Sequence, residues 1–365
     1  MKDESVRFNL KKGMLFVLVF IACISGGVIL KLTAPVILPF TISLLLAMVM
    51  DPLVILLERW RLPRIVSILV AIGIIIAGLY LIGVVLFSSA RAILTLYPRY
   101  EGRLTEIYAS VAGFFELSYD EHLSFFDNLW GQLGVRNRIR EMTLWLSNAF
   151  IGFLQEALMV VLFMAFLLLE AACFKDKVDL AFEHQANQIK KIGADVMRQM
   201  SRYLSAKFFI SLATGMIVTF ALSLVGLEFA VLWGLIQFIL NFIPNIGSIA
   251  AGTGIGLFAL LQFWPEPGPI IATVLIMLGI NMIIGNILEP KIMGDNLGLS
   301  PIAVLMSLML WGWLWGFAGM ILAVPMTVIV KILCDNIPLL EPISILLGSR
   351  KAVLAKKAEA QARKG

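Results

Sequence analysis

Two carboxamides one helical turn apart, Gln237 and Asn241, lie in a run without a single charge from residue 229 to 265. Asn245 and Ser248 follow across the break Asn-Phe-Ile-Pro-Asn-Ile-Gly. Amides donate and accept at once, so such a group of side chains suits a small neutral solute bearing hydroxyls or carbonyls. Asn241 and Asn245 equally suit the two helix ends at the bend as caps, and the two roles are compatible. Pro244 brings no amide hydrogen and is expected to free the carbonyl near Leu240. Asn281 and Asn286, on the next apolar segment, are uncommon in lipid-facing positions and are expected to face the protein interior. Glu289-Pro-Lys291 closes that segment as a boundary or gate element first and an ion-coupling site second. Glu156 is the one carboxylate well inside another apolar stretch; it either couples an ion or reaches back to the interface. A second uncharged run, 296–330, breaks at Gly312, Gly316 and Gly319 among Trp311, Trp313 and Trp315. Glycines so spaced allow close helix approach, and tryptophans anchor at interfaces; an aromatic gate is the sharper alternative.

Other chemistries are excluded or unsupported. The chain has no Gly-Lys-Ser/Thr phosphate loop and therefore no ATP motor of its own. No nucleophile–base constellation is present, so an enzyme is not expected, and neither is a cofactor. His122 and His184 stand far from any cluster of metal-ligand spacing. Cys23, Cys173 and Cys334 are too dispersed for a disulfide framework or a metal site. The net charge of +5 comes from basic residues at the ends of apolar segments. Anionic lipid and the positive-inside rule account for that placement better than nucleic acid does.

These side chains need a membrane scaffold to position them. With 60% hydrophobic and 15% charged residues and a mean hydropathy of +0.94, the 365-residue chain is an integral membrane protein. Charge-poor segments cover 13–30 (read as a retained first span), 32–50, 65–90, 142–169, 208–227 and 267–288; with the two long runs they make eight hydrophobic blocks. As one helix, either long run would reach roughly 50 Å across a hydrocarbon core of about 30 Å, yet each is short for two full spans.

Basic residues in the N-terminal tail, at Arg59, Arg61 and Arg64, in 171–207 and in the C-terminal tail place these four regions in the cytoplasm. Walking the chain from an inside N-terminus, both long runs must return to the side they entered. They are therefore predicted to be hairpins, each after a span and in opposite orientations, an inverted repeat of the kind secondary transporters use. Two thin full spans per run give the same path. The expected fold is an all-α polytopic membrane protein: six spanning helices plus two helical hairpins, with amphipathic interfacial helices. Its regions are 1–90 (scaffold spans), 91–141 (extracytoplasmic, amphipathic), 142–170 (fourth span), 171–207 (cytoplasmic amphipathic helix), 208–333 (span-hairpin-span-hairpin) and 334–365 (basic tail).

The stretch from Gly226 to Gly247 resembles a signature of the autoinducer-2 exporter (AI-2E) family. So do Asn286-Ile-Leu-Glu-Pro-Lys-Ile-Met-Gly294 with Leu297-Gly-Leu299, and Trp315-Gly-Phe-Ala-Gly-Met-Ile-Leu-Ala-Val-Pro325. Pro35, Pro39, Asp51-Pro-Leu53 and Leu62-Pro63 fit the same pattern, so the resemblance covers nearly the whole chain. It implies a permease of the bacterial inner membrane, some relatives exporting the furanosyl diol autoinducer-2 and others exchanging sodium for protons. It also implies a homo-oligomer, first of all a pentamer, with a small-molecule solute and membrane lipid as partners. Asn245 stands where many relatives have an aromatic residue, which leaves the solute open.

Overall fold

A computed structural model describes residues 21–22, 24–114, 135–171, 173–181, 186–293, 298–337, 340–350 and 354. His122, His184, Cys23 and half of the first apolar block lie outside them. All regular structure among the described residues is helical apart from one isolated bridge, Leu299 to Gly348. Seven helices are long and apolar enough to cross a membrane, and an eighth, of 11 residues, is apolar but short.

Helix α1 covers Ala34–Arg59. It closes where Arg61 adopts φ 66°, with the Leu62 amide reaching back to the Leu57 carbonyl at 3.4 Å, and Pro63 prevents continuation. Helix α2 runs unbroken over Arg64–Phe114, 51 residues or about 76 Å, of which Arg64–Ile93 is the candidate span. Helix α3 covers Val135–Glu170 and the short α4 covers Phe174–Ala181. Helix α5 covers Ala186–Val225, about 60 Å in one piece. The amphipathic residues 91–114 and 186–207 are continuous in helix with the candidate spans, as the outer part of α2 and the first part of α5. The loose helical spacing of Leu96, Tyr100 and Leu104 signals helix in either case, and periodicity carries no information about where a rod bends away.

Gly226 (φ 80°) and Phe229 (φ 58°) turn the chain from α5 into α6, Ala230–Leu240. The bend 241–245 leads to α7, Ile246–Phe263. At about 16 Å, α6 is half the length a span needs, while α7 reaches about 27 Å. Helices α5 and α6 touch backbone to backbone. A methyl group on Gly234 would sit 1.8 Å from the Thr219 hydroxyl, and one on Gly215 2.7 Å from the Gly234 carbonyl. Such small-residue contact supplies the packing that the hydrophobic effect cannot supply within lipid. Val218, Leu222, Leu227, Ala230, Ile255, Ala259 and Met277 form a buried cluster.

Helix α8, Pro267–Ile280, passes into a π-helical stretch, Asn281–Leu288, and then α9, Glu289–Met293. The Glu289 amide donates to the Ile284 carbonyl five residues back. Pro290 has no amide hydrogen to give, which favours a widened turn over a regular one.

Helix α10 covers Pro301–Asn336, interrupted at Trp315 and Gly316 (φ 62°, ψ −139°). Sixteen residues of straight helix would hold Trp311 and Thr327 about 24 Å apart. Instead the Trp311 indole nitrogen donates to the Thr327 hydroxyl at 3.3 Å. The chain therefore folds back at Trp315–Gly316. Helix α11, Glu341–Leu347, is tied to the start of α10 by the Ser300 amide donating to the Leu347 carbonyl at 2.9 Å.

By packing, the chain forms two units. One comprises Met1–Leu46 and Gly298–Gly365, the other Ala47–Leu297.

Candidate functional site

In the larger unit the amides gather round the first bend. Gln237 is completely buried on α6, and among the described residues neither its amide nitrogen nor its amide oxygen has a partner. One turn earlier on the same face, the Trp233 indole nitrogen is also shielded and unpartnered. One turn later, buried Asn241 donates from its side chain to the Ser211 hydroxyl of α5 at 3.0 Å. A buried amide without a hydrogen bond costs about 1–3 kcal/mol, so Gln237 needs a reason to be there.

The bend is narrow. A methyl group on Gly247 would lie 1.7 Å from the Leu240 carbonyl oxygen, so only glycine fits. That carbonyl is not free, contrary to the expectation from Pro244, because the Ile243 amide donates to it at 2.9 Å. Asn245 is exposed, has a positive φ of 58°, and makes no side-chain cap. Ser248 is half-buried, and its carbonyl accepts from the Asn281 side chain at 3.4 Å. Asn281 is therefore brought to the bend. Asn286 is not: it is exposed on this chain.

The carboxylates part company. Glu156 is exposed on α3. Glu289 pairs with Lys207 of α5, not with Lys291, and the Lys207 side chain is only 3% exposed. Sequence reasoning missed this lysine by counting it among cytoplasmic loop charges. Its spacing of four residues to Ser211 was the available signal. Thr214, Thr219 and Ser223 of α5 each donate to a carbonyl four residues back, whereas the Ser211 hydroxyl meets the Asn241 amide of the bend.

At the other end of α5, Glu228 accepts from Arg99 at 3.0 Å and from the Tyr100 hydroxyl. Its backbone amide is held by Gln262 at 2.7 Å, and Arg103 donates to the Trp264 carbonyl. The prolonged α2 thus grips both ends of the α6–α7 pair. Burial, then the Glu228 carboxylate, push the Tyr100 phenol above its ordinary value.

The smaller unit holds the second bend. Gly316 takes a conformation closed to side chains, and a methyl on Gly319 would lie 1.9 Å from the Trp311 carbonyl oxygen. Gly312 faces the flexible Met320 side chain. Trp315 is buried and donates to the Leu30 carbonyl at 3.1 Å, while Lys31 sits 4.3 Å over the exposed Trp313 ring. These indoles are anchored by structural contacts. Among the described residues no group of His, Cys, Asp and Glu has metal-binding geometry.

An all-helical, multi-pass membrane protein with a buried, unpartnered amide beside a glycine-dependent bend is built on the plan of a solute transporter. The chain belongs to the AI-2E transporter family, whose profile matches residues 14–339. It is 32% identical to the AI-2 transport protein TqsA of Escherichia coli over 340 residues, 92% of this chain and 94% of that one. It is 31% identical over 347 residues to a candidate transport protein of Haemophilus influenzae, covering 93% and 97% of the two chains. A candidate transport protein of Borreliella burgdorferi is 31% identical over 320 residues, 87% and 86% of the two chains.

Proposed function

We propose that this protein is a secondary transporter, not an enzyme, that exports a small polar organic solute across the bacterial inner membrane. The solute passes the first bend, where Gln237, Asn241, Asn245, Ser248 and Asn281 offer it amide and hydroxyl contacts. The observation that carries this reading is the fully buried Gln237, whose donor and acceptor both lack partners. A neutral hydroxylated solute would satisfy both, and the Escherichia coli relative's name points to autoinducer-2 as the first probe. Both termini lie in the cytoplasm in this account, and residues 208–333 move as two oppositely oriented span-hairpin units against the N-terminal spans. That both bends rest a glycine on a carbonyl seven or eight residues earlier supports the repeat. Lipid surrounds the assembly, a homo-oligomer.

Sodium/proton antiport would require Glu289 or Glu156 to titrate during transport; Glu289 is committed to Lys207 and Glu156 is exposed. The test is autoinducer-2 flux into proteoliposomes. Asn241→Ala should lower flux about tenfold or more, the loss of one charge-free hydrogen-bonding contact, while the protein still elutes as a folded species. Flux equal to the unsubstituted protein removes this site, and flux that follows an imposed sodium gradient without the solute favours antiport.

A further inference from the structure

The ion pair of buried Lys207 with half-buried Glu289 lies on a closed circuit of contacts that returns to the bend. Lys207 and Ser211 are four residues apart on α5 and share a face. Ser211 accepts from Asn241 on the near side of the bend, at 3.0 Å. On the far side, the Ser248 carbonyl accepts from Asn281, the first residue of the π-helical stretch. That stretch ends at Glu289, whose carboxylate meets Lys207. Every link lies within Ala47–Leu297.

Two features of this circuit are costly unless used. A lysine 3% exposed, paired with a carboxylate 82 residues away, carries a desolvation penalty that good geometry only offsets. An eight-residue π-helical stretch is rare, and such segments mark places where a helix changes register. Returning it to α-helical winding would rotate everything beyond it, by up to about 100° for each residue taken up. Glu289 would leave Lys207 while Asn281 stayed at the bend.

We propose that Lys207 is a positioning residue for transport. With Glu289 it forms a latch that closes the inner end of the solute path, and the π-helical stretch Asn281–Leu288 is the hinge that releases it. This deepens the transport reading and rests on it for the direction of the path.

The test needs no solute. In a background with Cys23, Cys173 and Cys334 replaced by serine, Ser248→Cys reports access to the bend from the cytoplasmic face of oriented vesicles, read with a membrane-impermeant maleimide. The double variant Lys207→Met/Glu289→Leu removes both charges at similar volume and leaves no orphaned ion, so it retains the fold. It should label at least about tenfold faster than the intact pair, because the latch no longer holds the closed form. The swapped pair Lys207→Glu/Glu289→Lys should return labelling to the slow rate, which loss of packing alone would not predict. Unchanged labelling in the folded double variant overturns the latch. A swapped pair as fast as the double variant also overturns it. Absence of autoinducer-2 flux with latch-dependent labelling would sink the solute and spare the latch.

Discussion

Gln237 and Gly247 carry the argument at the scale of residues. The first is buried with nothing to bond, and the second is glycine because the Leu240 carbonyl occupies the space of its side chain. Gly247→Ala should therefore destabilise the protein by about 3 kcal/mol, the upper part of the overpacking range, because backbone and not a pliable side chain must yield. A melting curve in detergent checks this; a transition at the unsubstituted temperature would mean the bend is looser than the contacts indicate. The types and spacing of Gln237, Asn241 and Ser248 were legible in the sequence, since amides in an uncharged run stand out. Their partners were not. Nothing local connects Asn241 with Ser211 or Glu289 with Lys207, and a lysine at the edge of a span reads as a topology signal until its pairing is seen.

Among elements, α2 and α5 differ most from what pattern alone suggested. Hydropathy marks where a helix leaves lipid but not whether it continues, so the pattern reads alike for one long rod and for a span followed by a separate amphipathic helix. The continuation of α2 places Tyr100 and Arg99 on Glu228, at the turn between α5 and α6. Because burial and Glu228 raise the Tyr100 phenol, the folded state favours its protonated form. That contribution is fully present below about pH 10, the ordinary tyrosine value, and is lost as pH rises through the higher folded value. Tyr100→Phe should accordingly show a shallower fall of melting temperature above about pH 10 than the unsubstituted protein. Parallel curves would show that the phenol's proton does not matter to the grip. The bends themselves were legible as breaks in over-long apolar runs. Their glycine-on-carbonyl construction was not, because sequence shows a glycine but not what stands opposite it.

For the whole molecule, membership in the AI-2E family and seven long apolar helices fix the class, while basic residues give the expected sidedness. Helix α2 supplies a direct check, since its span separates Arg59 from Gly102, both exposed. In a cysteine-free background Arg59→Cys should react with an impermeant maleimide from the cytoplasmic side only, and Gly102→Cys from the outer side only. The reverse pattern would invert the topology and with it the proposed direction of transport.

The central claim is that Gln237 is kept for a solute and not for the fold. Gln237→Leu tests it most directly, with melting temperature and autoinducer-2 flux measured on the same preparation. The account predicts an unchanged or higher melting temperature, because an unpaired buried amide worth about 1–3 kcal/mol is removed, together with loss of flux. A variant that transports at the unsubstituted rate, or one that loses stability and flux together, would contradict it.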